Sequence, residues 1–405
     1  MLKNFIDKFR GESKQQYDTP ALMNSYARLP VSFVRGEGCK LWDAQGKEYL
    51  DALGGIAVTF LGHCHPRINE AISIQGSKLL HVSNLFHIQE QAVLGEKFCR
   101  IAGMDKVFFG NSGVEAIEAA IKISRLHARS KNIESPVIVC ANHSFHGRTM
   151  AALSATGNKA IKQGFEPLLS EFVHVDYNDL EAVQNYSDNA NVVAMLVEPV
   201  QGEAGIVVPD QGYLTGLREL CDQNDWLLML DEIQSGMGRT GKWFAHQHED
   251  IRPDVITSAK ALGNGIPIGA CAARGPAAEL IGVGKHGTTF GGNPFASLIA
   301  STVIDVIEEE GLLERASELG KFLKSQLQQK LGTSNKVVDI RSKGLMLGVE
   351  LDQVYPDLAK QLLELGLVVN TTAGGKVIRL LPAVVMTDAQ AKQVAKIIAD
   401  HIATL

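Results

Sequence analysis

Between Val107 and Arg274 the chain repeats one pattern: short, β-rich apolar runs, several of them separated by stretches with helical spacing. The runs read KVFF, PVIVC, EFVHVDY, VVAMLVEPV, WLLMLDE, PDVITSA and IGACAAR. Several are apolar throughout instead of at alternate positions, as strands covered on both faces are. An α/β fold follows, with a mainly parallel central sheet flanked by helices in a large domain.

The pattern changes after the glycine-rich KHGTTFGGNP. The stretch STVIDVIEEEGLLERASELGKFLKSQLQQKL predicts one long helix, GLMLGVEL and KVIRLLP predict strands, and a terminal helix opens on a capping box from Thr387 to Gln390. Near the other end, VRGEGCKLWDAQGKEYLDAL predicts a β-hairpin that turns at DAQGK and packs with the C-terminal segment. Residues 1–54 and 293–405 are therefore expected to build a smaller α+β domain beside a large domain over residues 55–292. At the start, Leu2, Phe5, Ile6 and Phe9 fall at helical spacing and predict a short docking helix.

Composition sharpens this picture. A chain of 405 residues is too long for one compact core, which fits two domains. The net charge of −6, with no basic stripe, argues against nucleic acid or an anionic membrane as principal partner and favours small molecules. The six cysteines form no CxxC pair, as expected of reduced packing thiols in the cytoplasm. No apolar run approaches transmembrane length. The first residues lack the apolar core of a secretory signal, and Asp7 and Glu12 count against a transit peptide.

In open α/β sheets ligands bind at the carboxyl ends of strands, and WLLMLDEIQSG places Asp231 and Glu232 at such an end. An acid there could hold magnesium in a phosphate-loop NTPase, but no GxxxxGK[ST] occurs in the chain. It could also pair with the protonated ring nitrogen of a pyridine cofactor, or simply cap the next turn. The next strand, PDVITSAK, ends at Lys260. Burial among Ala259, Ala261 and Leu262 would lower its pKa from about 10.4 toward neutrality and free a nucleophilic lone pair. The bland alternative is a snorkelling surface lysine.

Three more stretches carry chemistry. In FFGNSGVEAIEAAIKISRLHAR, the N–H groups of Ser112, Gly113 and Val114 point out of a helix N-terminus, a cradle for phosphate or only an ordinary cap. In NHSFHGRT, Phe145 offers a face for ring stacking and Arg148 a fork for a carboxylate. His143 and His146 stand at HxxH spacing, and GHCHP adds His63, Cys64 and His65, but neither set completes a zinc motif, so no metal is expected. GVGKHG, Gly282 to Gly287, matches GxGxxG without the helix a dinucleotide site requires.

Taken together, NSGVEA, FHGRT, EPVQGEAG, LDEIQSGMGRTG, TSAKALGNGIPIGA and HGTTFGGNP resemble the class III pyridoxal-phosphate aminotransferases, in order and spacing over nearly the whole chain. Through VRGEGCKLWDAQGKEYLDALGGIAVTFLGHCHP the chain is most similar to the acetylornithine branch, with ornithine and 4-aminobutyrate aminotransferases as neighbours. The resemblance implies a fold type I transferase with pyridoxal 5'-phosphate bound to Lys260 as a Schiff base. It implies that Asp231 meets the ring nitrogen, Gln234 the ring hydroxyl, Phe145 and Ile233 the two ring faces, and Ser112, Gly113 and Val114 the phosphate. Many relatives carry threonine where Val114 stands.

The same resemblance implies a homodimer in which Thr289 reaches the other copy's cofactor phosphate. Arg148 is implied to grip the substrate α-carboxylate, with Tyr26 lining that pocket. Arg379 is implied to bind the second substrate, with Glu203 covering Arg379 while an ω-amino donor is admitted. Ornithine aminotransferases use an extra tyrosine near GGIAV to read a free α-amine. Ile56 stands in that neighbourhood, which favours an acylated nitrogen. The implied reaction is ping-pong transfer of the δ-amine of N2-acetylornithine to 2-oxoglutarate. Ornithine, succinylornithine and 4-aminobutyrate are alternative donors, and a non-catalytic cofactor-binding regulator is the alternative of another class.

Overall fold

The computed structural model describes residues 21–405. The docking helix expected at Leu2 to Phe9 lies outside the described residues. Three strands open the chain: β1 (Phe33–Glu37), β2 (Lys40–Asp43) and β3 (Glu48–Asp51). β2 and β3 form the hairpin expected at DAQGK. Its turn is locked by Asp43, whose Oδ1 accepts from the N–H groups of Gln45 and Lys47, each at 2.9 Å.

Seven strands make the central sheet: β4 (Lys106–Gly110), β5 (Val137–Ala141), β6 (Phe172–Val175), β7 (Val192–Val197), β8 (Leu227–Asp231), β9 (Val255–Ser258) and β10 (Gly269–Ala273). Their order is β4-β10-β9-β8-β7-β5-β6. β5 to β9 pair in parallel. β10 is antiparallel to both neighbours, so β4 runs the same way as β9, and only β10 is reversed. The fully apolar runs are explained by a core on each face: in β8, Leu228 and Leu230 enter one, Leu227 and Met229 the other.

The C-terminal segment holds β11 (Val337–Lys343), β12 (Met346–Leu351), β13 (Leu367–Val368), β14 (Asn370–Thr372) and β15 (Val377–Leu380). β11-β12-β15-β14 is an antiparallel sheet, while β13 pairs in parallel with β3 and joins the two chain ends. The link to the central unit is made by backbone: Leu381 donates to the Ala52 carbonyl at 2.8 Å and Val384 to the Phe60 carbonyl at 2.8 Å. The capping box from Thr387 to Gln390 opens helix Asp388–Ile402 as expected. The long helix does not form as one piece. It divides into Pro294–Glu309 and Leu312–Leu331 at Gly311, whose φ of 64° no right-handed helix accommodates.

Candidate active site

Because six of the seven central strands share one direction, their carboxyl ends line one edge of the sheet, and five of them feed a single cavity of about 430 Å³. β4 delivers Asn111 and Ser112 at the start of helix Gly113–Ser130. Ser112 caps that helix: its Oγ accepts from the Glu115 N–H at 3.3 Å, which leaves its own O–H free to donate. A Cβ on Gly113 would lie 2.8 Å from Ile233 Cδ1, so any side chain here would have to displace Ile233. Ser112, Gly113 and Val114 all line the cavity. The Glu115 carboxylate folds back onto the Asn111 N–H and takes that donor out of the cradle.

β5 leads into the Asn142–Thr149 loop. Phe145 and Arg148 both reach the cavity, with the guanidinium carbon 5.8 Å from the Phe145 ring centroid. The two histidines of the HxxH spacing part company. His143 is exposed with φ 62°, whereas His146 is buried and meets Asp231, Nδ1 to Oδ2 at 2.8 Å. Among the described residues no group of three or more His, Cys, Asp or Glu side chains is placed to hold a metal ion.

β8 ends in Asp231, buried in the cavity wall. Its Oδ1 accepts from the Ile233 N–H at 3.1 Å and the Thr257 hydroxyl at 3.4 Å. Glu232, its neighbour, faces away and binds His246 and Ser235. Gln234 packs over Gly202, where a Cβ would come within 2.2 Å of its Oε1. That Oε1 is buried without a hydrogen-bond partner in the protein.

β9 ends just before Lys260, which begins a short 3-10 turn with φ 46°. Lys260 lines the same cavity as Asp231. Burial first, and the Arg379 charge as well, lower its pKa to about 8, against the opposing pull of Glu203 and Asp231. Ala259, Ala261 and Leu262 around it are buried, and Lys260 itself is half-buried on the cavity wall and not on the outer surface.

β15 supplies Arg379, whose side chain is wholly buried and pairs with Glu203, Nη1 to Oε1 at 2.5 Å. Its Nε donates to Asn370 Oδ1 at 3.1 Å, while Nη2 has no partner. Burial alone would raise the Glu203 carboxyl, but the charge and hydrogen bond of Arg379 outweigh it and hold it below the ordinary range.

Three expected residues are absent from the cavity wall: Arg379, which meets it through Glu203, Tyr26 and Thr289. Tyr26 is 70% exposed and absent from the cavity wall, with the Arg28 guanidinium 5.5 Å from its ring centroid. Thr289 is exposed on the loop before helix Pro294–Glu309 and does not line this chain's cavity. Two residues were missed. Glu198 follows β7 as Asp231 ends β8, so the strand-end rule that found one applied to both. It lines the cavity, accepts from the Phe145 N–H at 3.1 Å and the Gly202 N–H at 3.3 Å, and burial pushes it up to about 7. His146 carried no signal beyond its place in FHGRT.

The site tests well for a phosphorylated pyridine. An orphaned amide oxygen on Gln234, a carboxylate on Asp231 and a helix N-terminus with a closely packed glycine surround one cavity that also holds an amine of lowered pKa. Comparison with known proteins agrees. The family model for aminotransferase class-III matches residues 22–402. The acetylornithine aminotransferase of Nitrosomonas europaea is 52% identical over 92% of this chain and 95% of its own. The crystal structure of the ornithine aminotransferase from Toxoplasma gondii superposes with a TM-score of 0.95 at 33% identity, covering 100% of this chain and 98% of that one. For the acetylornithine aminotransferase of Elizabethkingia anophelis the TM-score is 0.86 at 34% identity, covering 100% and 99%. A match of sequence along the chain, of shape over all of it, and of an amine and an acid at one sheet edge leaves one assignment: the chain belongs to the class-III aminotransferases.

Proposed function

We propose that this chain is an acetylornithine aminotransferase. It moves the ω-amino group of N2-acetyl-L-ornithine to 2-oxoglutarate, giving N-acetyl-L-glutamate 5-semialdehyde and L-glutamate, a step of arginine biosynthesis in the cytoplasm. The observation that carries the reaction is the meeting of Lys260 and Asp231 at adjacent parallel strand ends in one cavity. The 52% identity to the Nitrosomonas enzyme carries the choice of donor.

Pyridoxal 5'-phosphate, when bound, supplies an electron sink for breaking a C–H bond at the amine-bearing carbon. The chain's own residues do the rest. Ser112, Gly113 and Val114 hold the phosphate through N–H groups at a helix N-terminus, where the macrodipole favours an anion. Phe145 and Ile233 confine the ring between them, Asp231 accepts the hydrogen of its nitrogen, and Gln234 meets its hydroxyl. Lys260 would anchor the cofactor, and its Nζ would take the proton from the donor's amine-bearing carbon.

Arg148 grips the donor's α-carboxylate. Glu203 neutralises Arg379 while the donor occupies the site. When Glu203 swings off, Arg379 offers its fork to the second carboxylate of 2-oxoglutarate, so one cavity serves two acids of different charge. The active species is a homodimer in which Thr289 of one copy completes the phosphate cradle of the other. In this reading residues 55–292 form the cofactor-binding domain, with residues 1–54 and 293–405 forming the small domain.

The Toxoplasma match gives the ornithine reading its support, since shape alone does not separate the two donors. Single-turnover half-reactions decide between them. With acetylornithine, ornithine, succinylornithine and 4-aminobutyrate each mixed with the cofactor-loaded enzyme, acetylornithine should bleach the cofactor colour with the highest kcat/KM. Ile56 should disfavour ornithine by no more than about 1–3 kcal/mol. Ornithine at or above the acetylornithine rate transfers the assignment to the ornithine enzymes. Colour that persists with every donor makes the chain a binder and not an enzyme.

A further inference from the structure

Asp231 does not stand alone beneath the site. His146, 2% exposed, sets its Nδ1 2.8 Å from Asp231 Oδ2, and its Nε2 is buried with no partner. A carboxylate oxygen accepts, so the hydrogen of this contact sits on His146 Nδ1 and is donated to Asp231. The ring cannot easily turn away. The His146 N–H donates to Thr156 Oγ1 at 2.9 Å, and Gly147 follows with φ 137°, where a Cβ would strike Val114 at 2.5 Å.

We propose that His146 is a positioning residue: by donating through Nδ1 it keeps the Asp231 carboxylate charged and fixed in direction beneath the cofactor's ring nitrogen. The inference rests on the role given to Asp231 above. Asp231 then has donors on both oxygens, His146 on Oδ2 and Ile233 and Thr257 on Oδ1. Hydrogen bonds donated to both oxygens favour the charged carboxylate and fix its direction. A proton shared between carboxylate and pyridine then rests on nitrogen, the state in which the ring withdraws electrons.

The test compares His146→Leu with His146→Asn, two side chains of similar size of which only Asn can place an N–H near the Nδ1 position. Three quantities are read: dissociation of pyridoxal phosphate from the reconstituted protein, the 15N resonance of ring-labelled cofactor, and kcat against KM. The wild-type resonance should stand at the protonated position. The leucine variant should move it toward the unprotonated one, weaken cofactor binding roughly tenfold to a hundredfold and lower kcat more than KM, and the asparagine variant should recover most of each loss. Equal damage in both variants, or no change in either, overturns the proposal in favour of simple packing. So does an unprotonated resonance in the wild type, which can be read whether or not the variants fold. A wild-type protein that binds no pyridoxal phosphate would instead bring down the reading of the site as a whole.

Discussion

At the scale of single residues, chemistry follows from where a strand happens to stop. Lys260 and Asp231 are ordinary residues in composition, and both were legible because a buried apolar strand that ends in a charge must present it to a crevice. Glu198 obeys the same rule after β7. His146 was not legible at all. Its partner is 85 residues away, and only the fold brings the two together. Lys260 allows a direct measurement. Burial disfavours its ammonium form, so the folded apoprotein gives up that proton near pH 8 while the unfolded chain keeps it to about 10.4. Between those values the unfolded chain binds more protons, and the apoprotein gains stability as pH rises. Labelling the cofactor-free protein with an amine-reactive reagent, followed by peptide mass spectrometry, should give Lys260 a midpoint near pH 8, below the ordinary lysine value of about 10.4. A Lys260 midpoint at that ordinary value would mean that its nitrogen is open to water.

At the scale of elements, periodicity located the pieces and glycine decided where they break. The hydrophobic spacing of residues 301–331 is continuous enough to read as one helix. The break depends on φ at a single position, which a hydrophobic pattern does not encode. Gly311 lies at φ 64° and ψ 33° and serves as the N-cap of Leu312–Leu331. A Cβ there meets no atom within 4 Å, so Gly311→Ala is penalised by backbone conformation alone. The left-handed state of a non-glycine residue costs roughly 1–2 kcal/mol, and Gly311→Asn should lose less than Ala because Asn tolerates that region better. Denaturant titration of the three proteins should rank them Gly, Asn, Ala. If Ala matched the wild type, the two helices would be able to merge, and the break would be an accident of sequence instead of a requirement of packing.

At the scale of the whole molecule, the proposed homodimer would add to the cavity of each chain. The phosphate cradle has donors from one helix N-terminus only, and one backbone donor beside it is spent on Glu115. Thr289, expected to complete it, lies outside the cavity on an exposed loop. That loop borders an apolar surface. Leu85 is 87% exposed and Phe86 65%, while Asn84 ties their segment to the Gly291 carbonyl at 3.1 Å and the rings of His81 and Phe290 lie 5.2 Å apart. Large apolar side chains clustered beside a loop that carries a proposed ligand contact are the mark of a covered surface, and in the proposed homodimer a second copy of this chain would cover it while delivering Thr289. Leu85→Asp combined with Phe86→Asp should therefore shift sedimentation from dimer to monomer and weaken pyridoxal phosphate binding together, although neither residue lines the cavity. Thr289→Ala should weaken cofactor binding while the protein stays dimeric. A double variant that is monomeric yet binds cofactor at full strength would show that each chain builds its phosphate site alone, and that Thr289 belongs to the surface and not to the chemistry.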